Sequence, residues 1–191
     1  FPSVATSIAW YLIENKPNEK KTIINDNYEI DLSTLVYIPQ KPCKESISIH
    51  EKVMLKNNDK IDMKYDYVTC HNNILLKSNR SNTHSSISKK KTSTHIYPVF
   101  HTNKQTWYSE IKQDFLDKEK VLFTRSGYTK FIYDNGKYGV TDLGYYILVD
   151  NKKEGETLVH NLNSKLIKYI LSSAKWSGFG NEKVFKLLPN L

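Results

Sequence analysis

The chain has 191 residues, of which 39% are hydrophobic and 25% charged, enough apolar side chain for one large domain, or one domain plus a fragment. Its 28 Lys and Arg against 20 Asp and Glu leave a net charge of +8 and a pI near 9.2. The surface therefore attracts polyanions, although a Lys-, Asn-, Ile- and Tyr-rich composition raises the pI with no ligand involved. No run is long and apolar enough to span a membrane, and Cys43 and Cys70, whose spacing fits no metal motif, predict free thiols in a reducing, cytoplasmic setting.

FPSVATSIAWYLIEN, residues 1–15, carries the β-branched and aromatic residues of one or two strands and stops at Lys16-Pro17-Asn18. It lacks a basic leader and an initiator Met, so it is no signal peptide and looks cut from a longer protein. KKTIIND and EIDLSTLVYIP predict a short strand and an extended piece ending at Pro39. Ser46–Lys56 predicts a helix entered through a Ser cap, with Ile49, Val53 and Met54 on one stripe. Tyr67–Lys77 contains a strand-like ILLK. Residues 78–94, rich in Ser, Thr, Asn and Lys, read as a flexible loop. Lys89, Lys90 and Lys91 lie in it, as phosphate contacts or simply as a solvated charge run.

From Ile96 the chain turns strand-rich. Ile96–Phe100 reads as a strand, at an edge if Pro98 is accommodated there. VLFTRSG, KFIYDNG, KYGVTD and GYYILVDN follow as strands, and Asn135-Gly136 between two apolar runs predicts a hairpin. Glu156–Ser173 predicts one amphipathic helix, with Leu158, Leu162, Leu166 and Ile170 facing the core. A Gly-punctuated loop, residues 175–181, and a short terminal turn close the chain.

Catalytic patterns are sparse. No Gly-rich phosphate loop follows a strand, and the six histidines show no paired metal spacing. His95 and His101 flank a strand and are candidates to face a ligand. His160 reads as structural, as do Asp134, Asp142 and Asp150 as turn residues. The acidic–basic stretch Asp117-Lys118-Glu119-Lys120 reads as a solvated face. Recognition patterns are richer. Arg80 and Arg125 are the two arginines in a chain that otherwise uses Lys. Arg125 stands in Arg125-Ser126-Gly127-Tyr128-Thr129-Lys130, where a guanidinium fork suits a base edge or a phosphate. Paired with a carboxylate it is equally a turn residue. Tyr97, Trp107, Tyr108, Tyr128, Trp176 and Phe179 interleave with basic residues, a mixture that suits stacking on bases. Tyrosines packing their own core account for most of the same pattern. Trp176-Ser177-Gly178-Phe179-Gly180-Asn181 places large aromatics between loop glycines, where exposure is costly without a partner.

The order of strands, RSGYTK loop, YDNGKYGVTD hairpin, YYILVDN strand, LNSKL helix and KWSGFGN loop resembles the target-recognition domain of adenine-specific DNA methyltransferases. The closest kind is the TaqI-like group of type II restriction–modification enzymes, which includes fused methylase–endonucleases. The resemblance runs over residues 96–191 and, through FPSVATSIAWYLIEN, over 1–40, where it is similar to the strand hairpin that ends the methyltransferase sheet. It implies an α+β fold, mainly antiparallel strands with one packed helix. It implies residues 1–40 as terminal strands of a truncated methyltransferase domain, 41–95 as a connection, and 96–191 as the DNA-recognition domain. It implies double-stranded DNA as partner, and S-adenosylmethionine bound by a catalytic domain or subunit that flips the target adenine. The cofactor glycines and the Asn-Pro-Pro-Tyr motif of that domain do not occur in this chain, so methyl transfer is not expected of it alone. DNA contacts are expected at Arg125, Ser126, Tyr128, Thr129 and Lys130, at Trp176, Ser177, Phe179 and Asn181, and at Lys89, Lys90 and Lys91. The alternatives are a specificity subunit of a multisubunit restriction system, a nuclease, or a scaffold domain with a basic surface.

Overall fold

A computed structural model describes residues 16–17, 22–24, 28–31, 39, 43–55, 59–67, 69–70, 86–124, 130–174 and 182–190. The described residues fall into two compact units, one made of those up to Ile61 together with Lys165–Asn190, the other of Asp62–Ser164. Residues 96–191, expected as one domain, span both. The expected strands of residues 1–15 and the ILLK strand lie outside the described residues. The fold is mixed α+β with mostly antiparallel sheets, and the described residues carry four short helices where the resemblance implies one packed helix.

In the first unit, β1 (Thr22–Ile24) and β2 (Tyr28–Ile30) form a small antiparallel ladder, Thr22 opposite Ile30. Helix α1 spans Lys44–His50 and runs into a π-helical turn, Glu51–Leu55. The helix begins earlier than the Ser46 cap predicts, because Cys43 is the cap. Its Sγ accepts from the Ser46 N–H at 3.4 Å, and Ser46 Oγ returns the bond by accepting from the Cys43 N–H at 2.9 Å. Ser46 is thus the far corner of a capping box whose cap residue is an unusual, weakly accepting thiol.

The second unit is built on two sheets. In the first, β3 (Ile87–Ser88), β5 (Gln105–Ser109), β4 (Tyr97–Thr102) and β8 (Gly139–Val140) lie side by side in that order. In the second, β7 (Ile132–Asn135), β6 (Glu119–Thr124) and β9 (Gly144–Leu148) are antiparallel. Period-two alternation sends successive residues of β4 to opposite faces. Val99 packs with Trp107, Ile87 and Cys70 on one face. Phe100 packs with Val140, Leu122 and Tyr146 on the other, which joins the two sheets. Strand β6 is the spine of the unit, with Lys120 through Thr124 all buried.

Three sequence expectations change here. Ile87–Ser88 is a paired strand although its surroundings read as a flexible loop. One apolar side chain in a polar stretch, Ile87, is enough to seat it against Trp107. Pro98 lies in a strand with neighbours on both sides, but β8 reaches only Val99 and Phe100, so Pro98 still sits where no ladder bond is required of it. The Asn-Gly turn does not close a hairpin. Gly136 has the left-handed φ of +93° that such a turn needs, yet β7 pairs with β6 while β8 runs parallel to β4. The turn carries the chain from one sheet to the other.

The expected single helix over 156–173 is two, α2 (Lys152–Leu162) and α3 (Lys165–Ser173). Asn151 caps α2 by accepting from the Glu154 N–H at 3.0 Å, so the helix starts before the apolar stripe does. It ends where the Asn163 side chain turns away to bond Phe131. In the first unit α3 buries Ile167 and Ile170 and leaves Leu166 and Tyr169 exposed. A last short helix, α4 (Glu182–Phe185), buries Val184 and Phe185.

Candidate nucleic-acid interface

Of the expected DNA contacts, Lys89, Lys90, Lys91 and Lys130 are described, and all four are exposed. Arg125, Ser126, Tyr128, Thr129, Trp176, Ser177, Phe179 and Asn181 lie outside the described residues, as does Arg80. The four described lysines belong to the second unit.

The β4–β5 hairpin positions two of them, Lys89 and Lys130. Chain direction and register carry β3 past Ser88, which faces Tyr108, so that Lys89 comes beside Trp107. The Lys89 ammonium lies 5.5 Å from the Trp107 ring centre, in cation–π range. On the same ring stacks His101, centroid to centroid 4.0 Å with 20° between the planes. His101 Nδ1 is 2.9 Å from Thr141 Oγ1. Burial pushes the His101 pKa down, opposed by Asp142 and reinforced by Lys89. Trp107 and His101 are both buried, so neither is a surface for stacking a base or facing DNA, contrary to the sequence reading. His95 is tied into a local turn with Thr92 and Thr94.

At the tip of the same hairpin, Asn103 reaches the backbone of Lys130. Its Nδ2 donates to Lys130 O at 2.8 Å and its Oδ1 accepts from the Lys130 N–H at 3.4 Å. The next residue is held in the same way from another element. Asn163 Oδ1 accepts from the Phe131 N–H at 3.2 Å and Asn163 Nδ2 donates to Phe131 O at 2.8 Å. Two asparagine amides therefore grip consecutive residues, each mimicking a strand partner. Lys104, next to Asn103 in the hairpin turn, is exposed. Nothing in the spacing of Asn103 and Lys130 announces this contact; a polar residue at a hairpin tip is simply what turn chemistry requires.

Elsewhere in the unit Lys64 meets Asp62, Lys112 meets Asp117 and Lys152 meets Glu156, while Lys118, Lys137 and Lys153 form no ion pair among the described residues. Lys89, Lys90, Lys91, Lys104 and Lys130 form no ion pair among the described residues. Lys120 is the opposite case, a cation sealed from solvent that bonds Asp134 and three carbonyls. Its neighbours Asp117 and Lys118 are exposed, but Lys120 itself is no part of a solvated face.

Hydrolytic arrangements are weak. His50 Nε2 and Ser173 Oγ stand 2.8 Å apart in the first unit, but Ser173 Oγ also lies 2.8 Å from Ile170 O, which can only accept. Both contacts are satisfied when Ser173 donates to that carbonyl and His50 Nε2–H donates to Ser173. The imidazole is then in the wrong tautomer to draw a proton from the hydroxyl. His160 is exposed on α2. Cys70 is buried against Ser109, and burial pushes its thiol up to about 11, which removes it as a nucleophile near neutral pH. Among the described residues no three His, Cys, Asp or Glu side chains gather as a metal site, and no helix is long and apolar enough to cross a membrane. No protein-family model matches the sequence, and no curated protein matches it.

Proposed function

We propose that the second unit binds double-stranded DNA through the lysines grouped around the β4–β5 hairpin, as part of a site-specific DNA-modifying system. The observation that supports this most directly is the exposure of ammonium groups with no carboxylate beside them. Lys89, Lys90, Lys91 and Lys130 stay exposed without a carboxylate among the described residues, as do Lys118, Lys137 and Lys153, whereas Lys64, Lys112 and Lys152 take one. Unpaired ammonium groups on a protein of net charge +8 are free to replace the counterions of a phosphate backbone. Lysine is a point charge on a flexible stem, suited to holding a backbone rather than reading bases. Base reading is assigned, on the sequence resemblance, to Arg125, with S-adenosylmethionine and the methyl-transfer chemistry on a separate catalytic domain or subunit.

The test is selection of duplexes from a randomised-sequence pool at two salt concentrations. Enrichment of a short motif with steep salt dependence supports a recognition domain, and Arg125→Ala then relaxes the motif. Salt-dependent binding without enrichment reduces the reading to a nonspecific basic surface. Absence of binding at low salt removes it.

A further inference from the structure

We propose that Lys104 and Lys130 form a single two-cation phosphate subsite and that Asn103 is its positioning residue. The subsite rests on the DNA-binding reading and adds to it a residue pair that the sequence keeps far apart.

Lys104 lies in the turn between β4 and β5, and Lys130 follows β6. No sheet ladder connects these two points, because β4 and β5 belong to one sheet and β6 to the other. The Asn103 amide makes the connection. By engaging both the N–H and the C=O of Lys130, at 3.4 and 2.8 Å, it fixes that residue's backbone in position and orientation. Asn163 fixes Phe131 with a second two-way grip, at 3.2 and 2.8 Å. Lys130 therefore stands on a backbone held from both the hairpin tip and the end of α2, although the residue itself is exposed. Phe131, buried at its foot, adds a third anchor. A cation on a held backbone gives up less freedom on meeting a phosphate than one on a loose loop. Lys104 follows in the chain the residue whose amide does the holding, so its backbone adjoins that contact. Both cations lack an ion-pair partner among the described residues, so neither must give up a carboxylate to bind an anion.

The experiment is a salt titration of full-chain binding to a mixed-sequence 20-base-pair duplex, an arbitrary length on the order of two helical turns. The wild type is compared with Lys104→Ala, Lys130→Ala, the double variant and Asn103→Ala. Removing one phosphate-binding ammonium should flatten the slope of log K against log salt by about 0.9, and removing both by about 1.8. Asn103→Ala keeps both ammonium groups, yet it should flatten the slope by about 0.9 as well, because Lys130 is no longer held. Thermal unfolding of Asn103→Ala, measured alongside, separates this from collapse of the fold. A purely structural role for Asn103 predicts a lower midpoint with an unchanged slope, and that result overturns its positioning role. Both lysines are exposed, so their variants fold and carry the test even if Asn103→Ala does not. A full wild-type slope in Lys104→Ala and Lys130→Ala, with Lys89→Ala flattened, overturns the subsite and leaves DNA binding standing. A flat wild-type titration overturns the DNA-binding reading itself, and the subsite with it.

Discussion

Lys120 Nζ and Asp134 Oδ2 lie 2.9 Å apart, and both side chains are sealed from solvent. They face each other across β6 and β7, where Lys120 and Asp134 are register partners. The ammonium also meets the carbonyls of Phe115, Leu116 and Lys118 at 3.1, 3.0 and 2.7 Å. The carboxylate accepts from the Lys137 and Tyr138 N–H groups at 3.1 and 3.2 Å. One ion pair thus closes two chain reversals, the approach to β6 and the turn from β7 to β8. Desolvation depresses the Lys120 pKa and Asp134 opposes that shift.

Removing one partner strands the other's charge. Asp134→Ala should cost about 3–5 kcal/mol, the range for breaking a buried pair. Lys120→Met leaves Asp134 with backbone donors and should cost less. The double variant removes both charges and should be less destabilised than the two single effects added together. Urea unfolding of the four proteins measures this coupling. Strict additivity would show that the two groups act independently.

Gly136 is the second element of that turn. Its φ of +93° is strained for any side chain, and a Cβ there would stand 2.8 Å from Asp117 O. Gly136→Ala should therefore destabilise the unit by about 1–3 kcal/mol. Gly155→Ala is a useful comparison, since the obstacle there is the edge of the Tyr133 ring, at 2.5 Å, rather than backbone. Chemical unfolding of both variants checks the ranking. An unaffected Gly136→Ala would mean the turn relaxes to another conformation.

The strands from Ile96 onward are legible in the sequence because apolar runs and turn residues alternate with the right period. What they pair with is not. Asn135-Gly136 has the chemistry of a hairpin, but nothing local specifies that β8 prefers β4 to β7. That choice lies in Val140 meeting Phe100 and Leu122, contacts distant in sequence. Helix ends escape the pattern where a side chain rather than the apolar stripe sets them, as with Cys43, Asn151 and Asn163. At the candidate interface the exposure of Lys89, Lys90, Lys91 and Lys130 follows from charge alone. The burial of Trp107 and His101 does not, because an aromatic beside lysines reads the same whether it stacks on a base or lies under a cation. Lys120 is hidden for the converse reason: a lysine inside a charged run gives no sign that three carbonyls and a carboxylate await it.

His101 gives the fold an acid sensitivity. Burial lowers its pKa below the ordinary value of 6.5, and His50 is lowered by burial in the same way. The unfolded chain then takes up protons first as pH falls. Stability is fully present above about pH 6.5, the unfolded value, and is lost as pH drops from there toward the folded pKa. The thermal midpoint should fall between pH 7.5 and pH 5.5, two readings set about one unit either side of that value. His101→Gln, which keeps a polar group for Thr141, should flatten part of this dependence. The same fall in wild type and variant would assign the sensitivity to His50 or to carboxylates.

Lys89 sits where structure and charge meet. Its ammonium rests over Trp107, itself stacked on His101, so the cation is held in place rather than swept through solvent. If the unit binds DNA as proposed, replacing Lys89 by alanine removes a charge available to a phosphate and should flatten the salt slope of binding by about 0.9. On the proposed reading Lys89 holds the backbone, so the weakening should be equal for every duplex sequence. Lys89→Arg keeps both the charge and the capacity to stack on indole, and should restore the slope. Measured on a selected site and on a scrambled one, a Lys89→Ala effect that differs between the two would move Lys89 from backbone holding to sequence reading.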